Sequence, residues 1–140
     1  MELHLLWMFL AGLGAFVVYM VIGTVLFVAL PGMKVEFKRY PGVYRGEEDM
    51  KRTMPFAMFS VLVSTQMLAL LYAHLATWGS GLMQGLCFGL MIGLFVLSSN
   101  VLHNYVILNI GWRLTWQSGI AYFMEWVAAG VTIGLIYRPT

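Results

Sequence analysis

Glu125 is the residue of this chain best placed to do chemistry. It lies near the middle of an apolar stretch, Leu114–Tyr137. Its neighbours at helical spacing, Ser118, Ala121, Tyr122, Ala128, Ala129 and Thr132, are small or polar, whereas Phe123, Val127 and Val131 fall on other faces. An ionisable group kept in apolar surroundings is costly, which marks it as a functional candidate that carries protons or ligates a cation. A protonated Glu125 hydrogen-bonded to Gln66 or Tyr122 would instead hold helices together, and the residue types alone allow both roles.

Other polar groups join it by depth. Gln66 in the second apolar stretch and Tyr19 in the first lie near the same level as Glu125, so the three are expected to meet. Tyr19 itself stands among the small residues Gly12, Ala15 and Gly23. In the third stretch Gly85, Gly89 and Gly93, extended by Gly81, form a ladder of small residues that permits close backbone approach. With Gly85 at zero and about 100° per residue, Gly89 and Gly93 fall near 40° and 80°. Extended the same way, Asn100, His103 and Asn104 fall on that face too, so the neighbour that packs on the glycines is expected to shield them. Asn100 would lie about 8 Å from the level of Glu125, with His103 farther on, near Gln117. A second small-residue pair, Gly130 and Gly134, closes the fourth stretch.

Several chemistries find no support. His4 and His74 belong to one end of the apolar stretches and His103 to the other, so no pair suits axial haem ligation. H-E-x-x-H, C-x-x-C and phosphate-loop patterns are absent, as is any readable nucleophile–base arrangement. Eleven Met residues show no repeated ligand spacing, which leaves a copper path unsupported. The single Cys87 reads as a small buried hydrophobe. No enzyme activity, cofactor or metal is expected.

The elements that must position these residues are transmembrane helices. Thr53 to Trp112 is a run of sixty residues without Lys, Arg, Asp or Glu, which a water-wetted surface cannot be built from and a bilayer requires. Mean hydropathy is +0.82 and 61% of the chain is hydrophobic. Four spans are expected, at about 5–30, 55–78, 81–109 and 114–137, forming one all-α membrane domain with an antiparallel four-helix bundle. Thr53 is the expected N-cap of the second span, with Pro55 in its first turn. Trp78-Gly79-Ser80-Gly81 is a tight turn, and Trp7, Trp78, Trp112 and Trp116 sit near span ends as interface anchors do. The first span is too long, and begins with the wrong charge, for a cleaved signal peptide.

Orientation follows from the cations. Lys34, Lys38, Arg39, Arg45, Lys51 and Arg52 crowd the loop at 31–54, and Arg113 lies in the third connection. Retention of Lys and Arg on the inner side places both connections in the cytoplasm and both termini outside, in a bacterial cytoplasmic membrane. Glu47-Glu48-Asp49 before Lys51-Arg52 reads as a short helix, and Phe37, Tyr40 and Tyr44 among the cations suit a headgroup layer. Anionic lipid headgroups are the expected partner of Lys34–Arg52, although topology alone would also require these cations. Nucleic acid is not expected, because the basic residues are confined to one loop.

The layout resembles a family of small bacterial four-helix membrane proteins catalogued only as a domain of unknown function. The similar parts are the glycine-bearing first span, Gly46-Glu47-Glu48-Asp49-Met50-Lys51, Tyr72-Ala73-His74, the glycine ladder followed by Asn100 and Asn104-Tyr105, and the closing Gly130-xxx-Gly134. The resemblance implies no activity and assigns no residue. The expected function is a non-enzymatic membrane module, a homo-oligomer or an accessory subunit of a membrane complex, with a buried polar centre. The alternative is a small proton- or cation-coupled transporter or channel that uses Glu125.

Overall fold

The computed structural model describes residues 2–75 and 80–138. They are mostly helical, with no strand among the described residues: α1 (Glu2–Ala29), α2 (Met33–Lys38), α3 (Glu47–His74), α4 (Leu82–Val96), a wider π-helical stretch (Leu97–Leu102), α5 (His103–Ile107) and α6 (Trp112–Ile136). Four helical runs are long and apolar enough to cross a membrane: His4–Ala29, Glu47–His74, Leu82–Ile107 and Trp112–Ile136. Trp78 and Gly79, in the expected tight turn, lie outside the described residues, as does Thr140.

The second span is displaced from its expected position. α3 starts at Glu47, because Gly46 is an extended N-cap and three acids fill the first turn, where the helix dipole favours them. The acidic-then-basic segment is therefore the head of the long helix and not a separate short one. Thr53 does not cap it; its hydroxyl donates to Asp49 O at 2.9 Å, and Pro55 lies inside the helix. Chain direction after α1 is reset by Pro31-Gly32, where Gly32 takes the left-handed region (φ 77) that a side chain rarely adopts.

α6 is the central helix. α4 lies along one side and α1 along another, both antiparallel to it, while α3 packs mainly on α1. The buried cluster gathers toward the terminal end, around Ala11, Ala15, Ala69, Phe88, Ala129 and Ile133. There the rings of Tyr72 and Tyr137 lie 5.9 Å apart and tie α3 to the end of α6. Alanines at these contacts let helix backbones draw close, so attraction comes from many short dispersion contacts. At the loop end α1 and α3 pack more loosely, since residues 20–29 and 47–64 include no buried side chain, while Met33, Leu114 and Thr115 stay buried.

The glycines of α4 and α6 meet. A Cβ on Gly89 would lie 2.6 Å from Val127 O, and one on Gly85 would lie 2.8 Å from Gly130 O and 3.0 Å from Gly134 Cα. Gly93 faces Phe123, and Gly81 N–H donates to Gly134 O at 2.8 Å. Backbone lies on backbone along this seam, which only glycine permits.

Candidate functional site

Glu125 lies at the contact of α6 with α1 and is 7% exposed. Gly23 makes room for it, since a Cβ there would stand 2.8 Å from Glu125 Oε1. One helical turn away on α1, the Tyr19 hydroxyl is within hydrogen-bonding reach of the carboxyl. The Tyr19 ring packs against Trp126 with centroids 4.8 Å apart and planes tilted by 59°. Tyr122, one turn before Glu125, is 42% exposed. The arrangement pairs a buried carboxyl with one phenol, that of Tyr19, a set that can share a proton.

Gln66 is not part of this group. Its side chain lies against Gly12, and its Nε2 donates to Phe9 O at 3.3 Å. Gly12 and Gly23 are eleven residues apart on α1, so Gln66 and Glu125 are separated by about 16 Å along the helix. The earlier start of α3 explains the difference: Gln66 falls toward the C-terminal end of Glu47–His74 instead of at its middle. Glu125 is accordingly paired with Tyr19, which small neighbours on α1 bring close to α6.

Asn100, His103 and Asn104 depart from expectation for another reason. Asn100 and His103 are exposed and Asn104 is half-buried, while Val101 is buried and lies with Leu97 against Gly119. The π-helical stretch turns less per residue than an α-helix, so over Leu97–Leu102 the face rotates by roughly a quarter turn relative to an α-helical extrapolation. Val101 thereby takes the seam, and the amides turn away from it. Asn104 Nδ2 donates to Asn100 Oδ1 at 2.9 Å, so the two partly satisfy each other. Cys87 is exposed instead of buried, because Gly85, Phe88 and Gly89 occupy the packed face of α4.

The loop end holds a second polar cluster, centred on a residue that sequence reasoning passed over. Glu36 on α2 is 3% exposed. Arg39 reaches it at 3.1 Å and Arg113, from the start of α6, at 3.7 Å. Gly32 leaves space for the Arg113 guanidinium. Gly111 N–H donates to the Tyr40 hydroxyl at 2.8 Å, and Gln117 Nε2 donates to Pro31 O at 2.8 Å. Phe37 packs edge-on against Tyr44 at 4.7 Å, and burial raises the Tyr44 phenol above its ordinary pKa, with Tyr122 and Tyr40 adding to the shift. The signal for Glu36 was a lone acid among cations, three residues before Arg39 on a short amphipathic turn. Lys38 pairs with Glu47 and Lys51 with Glu48, both exposed. At the other end Arg138 lies over the Trp7 ring at 5.5 Å.

Among the described residues no three of His, Cys, Asp and Glu are grouped to hold a metal ion. The fold and site together define a class: an all-helical protein with four helices of membrane-spanning length and apolarity and one carboxyl buried between two of them. Comparison with family models, curated proteins and solved structures yields no match in any of the three.

Proposed function

We propose that the chain is a four-pass integral module of the bacterial cytoplasmic membrane, without enzymatic activity, that works as a homo-oligomer or as an accessory subunit of a membrane complex. The four helices form an antiparallel bundle with the Pro31–Met54 loop in the cytoplasm and both termini outside. The observation that carries the reading is the uncovered apolar surface. Val17, Val21, Val25 and Val28 on α1, and Phe56 and Phe59 on α3, are among many large apolar side chains left exposed by the described residues. Water would drive such surfaces to aggregate, whereas lipid or another helix covers them at no cost.

The loop supports the orientation. Lys34, Arg45 and Arg52 carry no ion pair among the described residues, which leaves them to meet anionic headgroups at an inner leaflet. Reporter fusions after Arg45 and after Thr140 should give opposite readouts, cytoplasmic for the first and external for the second. An external readout at Arg45 overturns the orientation. Native mass spectrometry of protein released from bilayer discs should show a homo-oligomer or a co-purifying membrane subunit; a lone monomer overturns the module reading.

A second reading, transport of a proton or cation by way of Glu125, is favoured by one observation, the exposure of Tyr122 beside a buried carboxyl. Under it, Glu125→Gln abolishes proton-coupled flux in liposomes while leaving the fold intact.

A further inference from the structure

One polar patch of the third span faces outward. Asn100, in the Leu97–Leu102 π-helical stretch, is exposed, and Asn104 on α5 is half-buried beside it, both turned off the contact that Val101 makes with Gly119. The patch lies within the apolar length of the span. Leu94 and Phe95 are exposed before it and Val106 and Ile107 after it, and Asn100 stands about 10 Å short of the span's end at Ile107. A helical side chain leans toward the N-terminus of its own helix, which for α4 and α5 is toward the middle of the bilayer. These short amides therefore lean away from the loop-side headgroups.

An amide left unpaired in hydrocarbon is costly. The hydroxyls of Thr24, Ser64, Ser98 and Ser99 avoid that cost by donating to carbonyls one turn back in their own helices. Asn104 Nδ2 donates to Asn100 Oδ1 at 2.9 Å, but the Asn100 Nδ2 finds no acceptor among the described residues. Asn100 Oδ1 also keeps a second lone pair. One outward side chain thus offers both a donor and an acceptor, a pattern that an identical amide completes. Insertion orients every copy alike, so a second copy brings its own Asn100 to the same depth. A helix of another sequence would have to carry a matching polar group at that level.

We infer that Asn100 pairs with Asn100 of a second copy of this chain across a two-fold axis parallel to the bilayer normal, each amide donating to the other. Asn104 orients the Asn100 amide, and the π-helical stretch turns it outward. Such re-aiming is one reason why single-turn π stretches recur at functional positions. The inference rests on the membrane module proposed above and selects the homo-oligomer as its form.

Energy transfer between donor-labelled and acceptor-labelled full chains in liposomes, followed against the protein-to-lipid ratio, tests the pair. Asn100→Leu should weaken association by about tenfold, and Asn100→Gln, which keeps a donor and an acceptor, should weaken it less. In Cys87→Ser protein, Asn100→Cys should form an inter-chain disulfide on oxidation, whereas Val28→Cys on the exposed side of α1 should not. Unchanged association in Asn100→Leu, no disulfide from Asn100→Cys, or disulfides formed equally at both positions overturns the inference. If Asn100→Leu does not fold, the two cysteine variants decide. An oligomer that survives Asn100→Leu intact, or a monomer with a co-purifying membrane subunit, removes this interface and leaves the module reading standing. A monomer without such a subunit removes both.

Discussion

The two faces of α6 solve the problem of helix contact in opposite ways. Toward α4 the contact is backbone against backbone: Gly85, Gly89, Gly130 and Gly134 interlock with no polar side chain between them. Toward α1 the contact is held by side chains, with Glu125 seated against Gly23, Tyr19 beside it and Trp126 behind. The first contact is continuous along α4. The second is tight at the terminal end and looser over residues 20–29, which include no buried side chain, before Gln117 Nε2 bonds Pro31 O at 2.8 Å. Glycine gives α4 a contact defined by shape, which tolerates no added atom. A polar pair gives α1 a contact defined by the chemistry of a few groups, Glu125 packed on Gly23 and Tyr19 beside it.

The sharpest way to break this contrast is to add atoms to the seam. Gly89→Leu would drive a side chain into Val127 O and Cα, and should destabilise by about 3 kcal/mol, at the upper end for overpacking. Folded yield and thermal melting in detergent measure it; an unchanged melting curve would show that α4 and α6 do not meet through their backbones. The α1 face should respond to chemistry instead of volume. Glu125→Leu strands the Tyr19 hydroxyl and should cost about 2 kcal/mol, whereas Glu125→Gln keeps a hydrogen-bonding partner and should cost less than about 0.5 kcal/mol. Equal losses in the two variants would argue that Glu125 acts by size alone.

The loop end should be more forgiving. Glu36→Ala releases Arg39 and Arg113, but both guanidinium groups are already well exposed, so the expected cost is about 1 kcal/mol. Limited trypsin digestion should show faster cleavage at Lys38 and Arg39, and unchanged cleavage would mean that Glu36 does not hold α2 in place. Smallest of all, at dilutions where the chain is single, Asn100→Ala should change stability by less than about 0.5 kcal/mol, because the Asn100 side chain is exposed and its bond is to the neighbouring side chain of Asn104. A large effect on thermal melting there would show that Asn100 supports the fold of the single chain.

Much of the architecture was legible because hydropathy and charge are local properties. The four helices follow from apolar runs long enough to be helical in lipid, and a carboxyl in the middle of α6 could be singled out from its neighbours alone. Gly85, Gly89, Gly130 and Gly134 were recognisable as small-residue ladders from their four-residue spacing. Which ladder meets which was not, since spacing names a face and not its partner.

What only the tertiary structure decided are the quantities that accumulate along a helix or depend on two helices at once. The start of α3 at Glu47 shifted Gln66 away from Glu125, an error that grows because depth is counted residue by residue. The π-helical stretch rotated Asn100, His103 and Asn104 off the seam and put Val101 on it, because angle accumulates in the same way. Glu36 stayed hidden because its second partner, Arg113, is remote in sequence and is brought near only when α2 folds back onto α6. The sequence by itself determined that Glu125 would be sheltered from water. That of its expected companions Tyr19 stays beside it and Gln66 does not follows from the registers of α1 and α3, which no local pattern encodes.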